Sequence, residues 1–438
     1  MRIGMVTACY KPVINGVTRM VSLYKQSMEA LGHEVYVFTL GEPDPAGDEA
    51  RVVRSSAVPL GESGYYVSVG YSSEARALIQ EMDIIHCHHL FMSVELAHRY
   101  ASCPIVYTNH TRYDLYTGTY SQLPQPAADA LMRRIWPEFT DFADVVITPS
   151  ESVKQVMLDF GVRRPIEVIE NGVDLRPFQF PSNPLTKTQL DIPEESVVLV
   201  YVGRLSVEKN LPRLLEQFAI AQDIVPHLYL LLIGGGPIED DLPHLARKLK
   251  VEERVRFIGP VGYEAVANYL AAADIFITAS ETEVHPLTVI EAMAAGLPII
   301  APASPGIVDT VTSGGSGLLT NHIKGGLAAA VTGLAMNLDL RLAMAANARE
   351  ASLRCDIEKT ARLTLALYEQ LCIERPDLTR EREHGRRAIK ENLHPLVTQL
   401  RKILHSPERA GSGRNRWWDI DWFESETSED EQHREPWV

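Results

Sequence analysis

The stretch VVLVYVGRLSVEKN, residues 197–210, decides the fold. It begins as a short apolar run rich in valine, without the alternation of a half-exposed strand. Such a run reads as a strand buried on both faces, as in a parallel sheet. The run ends at Gly203, which permits a tight turn, and the chain then leads into a helix. Arg204 and Lys209 stand in that turn. A helix N-terminus offers free N–H groups and the positive end of its dipole, so the two cations are placed to converge on an anion there. On these residues alone, a solvated loop whose cations happen to lie near a helix start is an equal reading.

Working outward, the same unit repeats. Downstream come LYLLLIGGG, VRFIG, DIFITAS, LPIIAP and SGLL, with helical segments between them. Upstream lie RIGMVT, EVYVFT, DIIHC, PIVYT, DVVIT and IEVIE. The first of these precedes a helix whose Val17, Met20, Val21, Tyr24, Met28 and Leu31 fall at helical spacing and which ends at Gly32. Strands alternating with helices predict an α/β protein of two doubly wound, Rossmann-like domains facing each other across a cleft. The predicted organisation is a first domain over 1–175, a linker rich in Pro, Asn and Asp over 176–195, and a second domain over 196–355. A closing helix follows over 356–375, carrying Ala361, Leu365 and Tyr368. A basic amphipathic extension is expected over 376–411, and an acidic, aromatic, largely disordered tail over 412–438.

Composition narrows the class. The chain has 438 residues, 45% hydrophobic and 23% charged, as in a globular protein with room for two cores. Its net charge of −15 argues against nucleic acid as a partner, which calls for a basic face. No apolar run reaches the eighteen residues of a membrane span. MRIGMVTACY reads as a first strand of a cytoplasmic protein, not as a signal peptide. Five scattered cysteines read as reduced thiols. His86, His88 and His89 hint at a metal site, but a third ligand and its supporting groups are not evident, so histidines at a cleft rim are the preferred reading and no metal site is expected.

A second chemical stretch is SETEVHPLTVIEAMAAGLP, residues 280–298. A helix is expected to start near Thr288, and Thr288-x-x-Glu291 fits a capping box. Glu283 has no such local duty. At the carboxyl end of a strand it faces the cleft, where a carboxylate can accept hydrogen bonds from sugar hydroxyls.

Taken together, VGRLSVEKN, LLLIGGGP, VRFIG, ASETEVHPLTVIEAMAAGLPIIA and VIENGVD resemble the retaining family 4 glycosyltransferases of the GT-B fold. KPVINGV resembles that family's glycine loop and YTNHTRYDLY its histidine segment, so the likeness spans roughly residues 1–372. The resemblance implies a nucleotide-diphospho-sugar as co-substrate, UDP-hexose foremost, with no further cofactor. It implies that Arg204 and Lys209 bind the diphosphate and stabilise the leaving group without a metal. Glu291 would take the ribose hydroxyls, Glu283 would lie beside the hexose, and backbone amides near Leu287 and Thr288 would reach phosphate or sugar. Gly16 would let the first domain's loop approach the diphosphate, His110 would contact the hexose, and the uracil would lie near residues 258–261. Retention by a glycosyl-enzyme on Glu283 or by same-face attack is left open. Where the family has an aromatic residue and then glycine, this chain has His285-Pro286. Proline removes an N–H, and His285 would set a polar ring near the sugar.

TACYKPVINGV, NHTRYDLY and TEVHPLT resemble most the branch that glucosylates diacylglycerol. A lipid acceptor at the inner membrane surface is therefore the expectation, with aromatic segments 58–71 and 110–126 as candidate acceptor contacts. Residues 1–180 carry fifteen Lys/Arg against twenty-one Asp/Glu, whereas 376–411 carry eight against five. Peripheral contact with an anionic membrane is accordingly expected of Arg386, Arg387, Lys390, Arg401 and Lys402, although Pro395 interrupts the stripe and its apolar steps could equally pack on the body or on a partner helix. The alternatives are a transferase to a soluble acceptor such as a sugar phosphate or polyol, and a GT-B isomerase or non-catalytic sugar-nucleotide binder.

Overall fold

The computed structural model describes residues 1–13, 15–59, 66–68, 70–115, 117, 124–321, 323 and 325–374. The basic extension, the acidic tail and parts of both aromatic segments lie outside the described residues. In the first half seven parallel strands form one sheet in the order β3-β2-β1-β6-β7-β8-β9. They are β1 (Arg2–Val6), β2 (Glu34–Leu40), β3 (Val52–Ser55), β6 (Ile84–Cys87), β7 (Ile105–Thr108), β8 (Val145–Thr148) and β9 (Ile166–Val168). A small antiparallel pair, β4 (Val58–Pro59) and β5 (Tyr66–Val67), lies apart from it.

The second sheet has six parallel strands in the order β12-β11-β10-β13-β14-β15. They are β10 (Val197–Val202), β11 (Leu228–Ile233), β12 (Val255–Gly259), β13 (Ile275–Ile277), β14 (Ile299–Pro302) and β15 (Gly317–Thr320). All six are the strands expected from the sequence. In the first sheet β3 is an addition. Its residues VVRS hold an edge position, and the run is too short and too polar to declare itself.

Strand order places the site. β10 pairs with β11 on one side and with β13 on the other, so the sheet reverses its winding there. Ligands of doubly wound folds bind at such a reversal, outside the carboxyl ends of the strands. The segments leaving β10 and β13 are 203–210 and 278–287, the two stretches singled out above.

The two halves are joined twice. The chain passes from the first to the second through 169–175 and returns through the helix Ile357–Glu374. These crossings lie side by side: Val173 N–H donates to Cys355 O at 2.9 Å and Ile357 N–H to Val173 O at 3.1 Å. The returning helix buries Ala361, Leu365 and Tyr368 in the first half's core, against the helix Gly16–Ala30. Tyr368 OH meets His86 Nδ1 at 2.6 Å, and Tyr24 OH meets Thr364 Oγ1 at 3.3 Å. Burying a side chain the size of Leu365 contributes about 1.5–3 kcal/mol, so this helix joins the halves through core packing. Within 176–195, Phe178 and Ile192 are buried in the core of the second half, and the segment packs as part of it.

Candidate active site

Adjacency of β10 and β13 brings the two motif loops into contact. Lys209 Nζ lies 2.7 Å from Glu283 Oε1, and both side chains are mostly buried, at 19% and 15% exposure. Burial works to raise the Glu283 pKa, but the Lys209 ammonium and the Ser280 hydroxyl outweigh it and hold the carboxyl below its ordinary range. A second pair, Arg213 and Glu281 at 2.7 Å, ties the following helix to the same loop. Arg204 stands exposed on the loop after β10, its carbonyl accepting from Tyr201 OH at 3.0 Å.

Two glycines make this layout possible. At Gly234, φ is +137° and an added Cβ would lie 1.9 Å from Gly203 O, so the loops after β10 and β11 touch through bare backbone. At Gly306, φ is +89° and a Cβ would meet Val284 O at 2.4 Å and Glu283 O at 2.6 Å. The backbone that carries Glu283 is thus supported from below by a residue with no room for a side chain.

The helix Leu287–Ala294 starts with Pro286 at its N-cap, and no side chain caps it. This corrects the capping-box expectation: Thr288 is already inside the helix, and Glu291 turns elsewhere. Its Oε1 accepts from Tyr263 OH at 3.0 Å. Burial pushes the Glu291 carboxyl up to about 7, against the pull of the Tyr263 hydroxyl and of Arg19. Arg19, from the first half, lies over the Tyr263 ring at 3.4 Å from its centroid. The N–H groups of Leu287 and Thr288 are left at the helix end without a capping side chain, as an anion site requires.

His285 corrects a second expectation. Its ring does not join the Lys209–Glu283 pair but is buried against the joint between the halves, with Nε2 3.9 Å from Glu170 Oε1. Its carbonyl accepts from Asn171 Nδ2 at 2.8 Å, so the loop before the helix is tied to the first crossing segment. Glu170, His285 and Cys355 bring ligand atoms within 4.8 Å of one another.

On the first half's side, Gly16 opens the helix Gly16–Ala30, and a Cβ there would meet nothing within 4 Å. Asn15 and Thr18 cap that helix reciprocally. His110 follows β7 and is half-buried, with Nε2 3.1 Å from His88 Nδ1. Burial first, then His86 and His89, hold His110 well below the ordinary imidazole pKa, so it is neutral. His86 bonds Thr108 and Tyr368, and His89 Nδ1 accepts from Ala8 N–H at 3.1 Å. Among the described residues the histidines of HCHHLF are hydrogen-bonded members of the core rim and do not form a three-ligand cluster.

The structure therefore joins Lys209 to Glu283 and sets Arg204, Leu287 and Thr288 on the loops and helix end around the same strand ends. Glu291 keeps company with Tyr263 and Arg19, and His110 with His88. Sequence reasoning missed Arg19, Tyr263, Asn171 and Glu170, because each acts through a neighbour far away in the chain. VIENGVD was the one usable signal, since it carries Glu170 and Asn171.

Two doubly wound domains with a cationic loop, a helix N-terminus and two carboxylates at one strand reversal define a GT-B glycosyltransferase, which moves a sugar from a nucleotide sugar. The chain belongs to the family 4 glycosyltransferases. Residues 14–176 match the family model Glycosyltransferase Family 4, and residues 182–351 match Glycosyl transferases group 1. An alpha-monoglucosyldiacylglycerol synthase of Streptococcus pneumoniae is 30% identical over 70% of this chain and 72% of its own length. One of Acholeplasma laidlawii is 30% identical over 73% of this chain and 85% of its own length. In fold, the chain resembles Anabaena Alr3699/HepE, solved in complex with UDP and glucose, with a TM-score of 0.68 at 20% identity. That match covers 85% of this chain and all of the other.

Proposed function

We propose that this protein transfers glucose with retention from UDP-glucose to diacylglycerol. The observation that carries the reading is the Lys209–Glu283 pair at 2.7 Å beside an uncapped helix end. A cation and a carboxylate held together there suit a diphosphate joined to a hexose. Arg204, Lys209 and the N–H groups of Leu287 and Thr288 bind the diphosphate, with Gly16 giving it room from the opposite domain. Glu291 accepts from the ribose hydroxyls, and Glu283 from a hexose hydroxyl. His110, neutral and bonded to His88 through Nε2, meets the sugar through its other ring nitrogen.

The acceptor hydroxyl attacks C1 of the glucose on the face from which the diphosphate leaves. The C1–O bond to phosphate breaks, the new C1–O bond forms, and the acceptor proton passes to the departing phosphate oxygen. Lys209 and Arg204 stabilise the charge that develops on UDP, which is electrostatic catalysis and needs no metal at the diphosphate. Glu283 stabilises positive charge on the sugar ring during the transfer. The lipid acceptor rests on the two glucosyldiacylglycerol synthase relatives and on the wording of TACYKPVINGV and NHTRYDLY. Among the described residues no single helix is long and apolar enough to cross a membrane.

The test is a donor-by-acceptor screen with radiolabelled sugar nucleotides, read as lipid-soluble against water-soluble product. Lipid-soluble label from UDP-glucose in the presence of diacylglycerol is expected. Label confined to water-soluble product would assign the transferase to a soluble acceptor instead.

A further inference from the structure

The joint between the halves holds a polar cluster that the transfer reaction does not use. His285 is 3% exposed, and neither of its ring nitrogens has a hydrogen-bond partner among the described residues. A buried polar atom left unpaired is expensive, and such atoms are rare enough that each calls for an explanation. Around the ring stand Glu170, with its Oε1 at 3.9 Å from Nε2, and Cys355, whose Sγ lies 3.9 Å from Glu170 Oε2. The three ligand atoms fall within 4.8 Å of one another.

We propose that Glu170, His285 and Cys355 bind a zinc-class divalent cation that ties the two crossing segments to the donor loop. Imidazole, thiolate and carboxylate form a mixed N/S/O set that suits zinc and disfavours magnesium or calcium, which prefer all-oxygen cages. Metal–ligand bonds of about 2.0–2.3 Å in a tetrahedron put neighbouring ligand atoms about 3.3–3.7 Å apart, so from separations of up to 4.8 Å closure needs movements of up to about an ångström. Water takes the fourth position. On binding, the Cys355 S–H proton is released to solvent as the metal–sulfur bond forms.

The surroundings support the carboxylate. Arg354 Nε lies 3.2 Å from Glu170 Oε1, and its Nη2 donates to the carbonyls of Thr310, at 3.1 Å, and of Asp309. Arg354 is thus anchored on backbone beside the cluster and holds Glu170, as groups around a metal ligand do. Thiolate and carboxylate balance the two charges of the metal. The positions of the ligands give the site its purpose. Glu170 lies in the first crossing segment, Cys355 stands just before the returning helix, and His285 sits two residues from Glu283. A metal there fixes the loop that carries Glu283 relative to both halves.

The test uses the full chain without an affinity tag. Zinc retained after dialysis against metal-free buffer is counted by mass spectrometry, and the stripped protein is then titrated with cobalt(II). About one metal per chain is expected, with a thiolate-to-cobalt charge-transfer band in the near ultraviolet. The band should vanish in Cys355→Ser and persist in Cys372→Ser, and His285→Gln should weaken binding ~100-fold or more. Wild-type protein that retains no metal and shows no band would overturn the proposal and mark the cluster as a water-filled joint. A band surviving in Cys355→Ser would overturn it too. If Cys355→Ser does not fold, the wild-type stoichiometry and its spectrum decide. None of these readouts needs turnover, so failure here is distinct from failure of the proposed transferase reaction.

Discussion

The Tyr263 hydroxyl donates to Glu291 at 3.0 Å while the Arg19 guanidinium lies on the face of the same ring, 3.4 Å from its centroid. The carboxylate assigned to the ribose is therefore already held, in the free protein, by a phenol that the opposite domain covers. A ribose that binds Glu291 must displace or share that hydroxyl. On the proposed assignment of Glu291, nucleotide binding would be linked to the approach of the two halves through one ring.

Glu291 gives a pH dependence with a definite sign. Its carboxyl titrates at about 7 in the fold and near the ordinary carboxylate value when unfolded. Between those values the native state binds more protons than the unfolded state, so this group's contribution to stability falls as pH rises from about 4.5 to about 7. Glu291→Gln removes the effect. The difference in unfolding free energy between variant and wild type, from urea melts of ligand-free protein, should grow across that window by up to about 3 kcal/mol. A difference independent of pH would mean that Glu291 is ionised and compensated throughout.

The Lys209–Glu283 pair separates catalysis from folding. Lys209→Ala removes a cation from the leaving group, and a loss of about 10²–10³ in kcat is expected. It also leaves Glu283 without its main counter-charge, which should cost about 1–3 kcal/mol of stability. Glu283→Gln keeps the size of the side chain and an oxygen that can accept from Lys209 but loses the charge, so turnover should fall while Tm drops less than in Lys209→Ala. Steady-state rates and thermal melts of both variants check the pair. Full activity in both would remove this pair from the site.

Much of this was legible in the sequence, for a physical reason. Strands buried on both faces have no polar interruptions, so VVLVYV, LYLLLI, IFI and IIAP announced themselves, while the half-buried VRFIG and GLLT followed from the repeat of strand and helix. Glu283 and Lys209 could be singled out because each follows such a strand. What could not be read was side-chain direction. Thr288-x-x-Glu291 has the spacing of a capping box, yet Pro286 takes the cap position and Glu291 bonds Tyr263, twenty-eight residues earlier. His285 was expected beside the sugar and instead meets Glu170 and Cys355, because loop residues answer to neighbours that sequence does not name. The return of the last helix to the first half was likewise invisible: its apolar stripe says that it is buried, not against what.

Gly306 offers a test of how the Glu283 loop is supported. An alanine there would suffer twice, from φ of +89° and from a Cβ 2.4 Å from Val284 O. Gly314 has a similar φ of +79° but open space around it. Gly314→Ala should therefore cost about 1–2 kcal/mol from backbone strain alone. Gly306→Ala should cost more and should also raise KM for the sugar nucleotide, since the loop must move. Equal melts and equal KM values in the two variants would show that the close approach is not a constraint.

Membrane docking is the prediction that rests on sequence alone, since residues 376–411 lie outside the described residues. Eight Lys/Arg against five Asp/Glu, with Ile389, Leu393, Leu396, Leu400 and Ile403 at steps of three and four, describe a cationic amphipathic stripe. Near an anionic surface each Lys or Arg contributes about 1 kcal/mol, and the effect decays within a Debye length. The first half cannot substitute, because over residues 1–180 acidic groups outnumber basic ones, twenty-one to fifteen. A chain ending after Glu374 keeps the whole returning helix and so should fold as before. Its sedimentation with phosphatidylglycerol vesicles should drop at least tenfold relative to the full chain, with the difference shrinking as salt rises. Charge reversal at Arg386, Arg387 and Lys390 should reproduce the loss in the full-length protein. Equal binding by the shortened and full chains would move the membrane contact to the body of the protein.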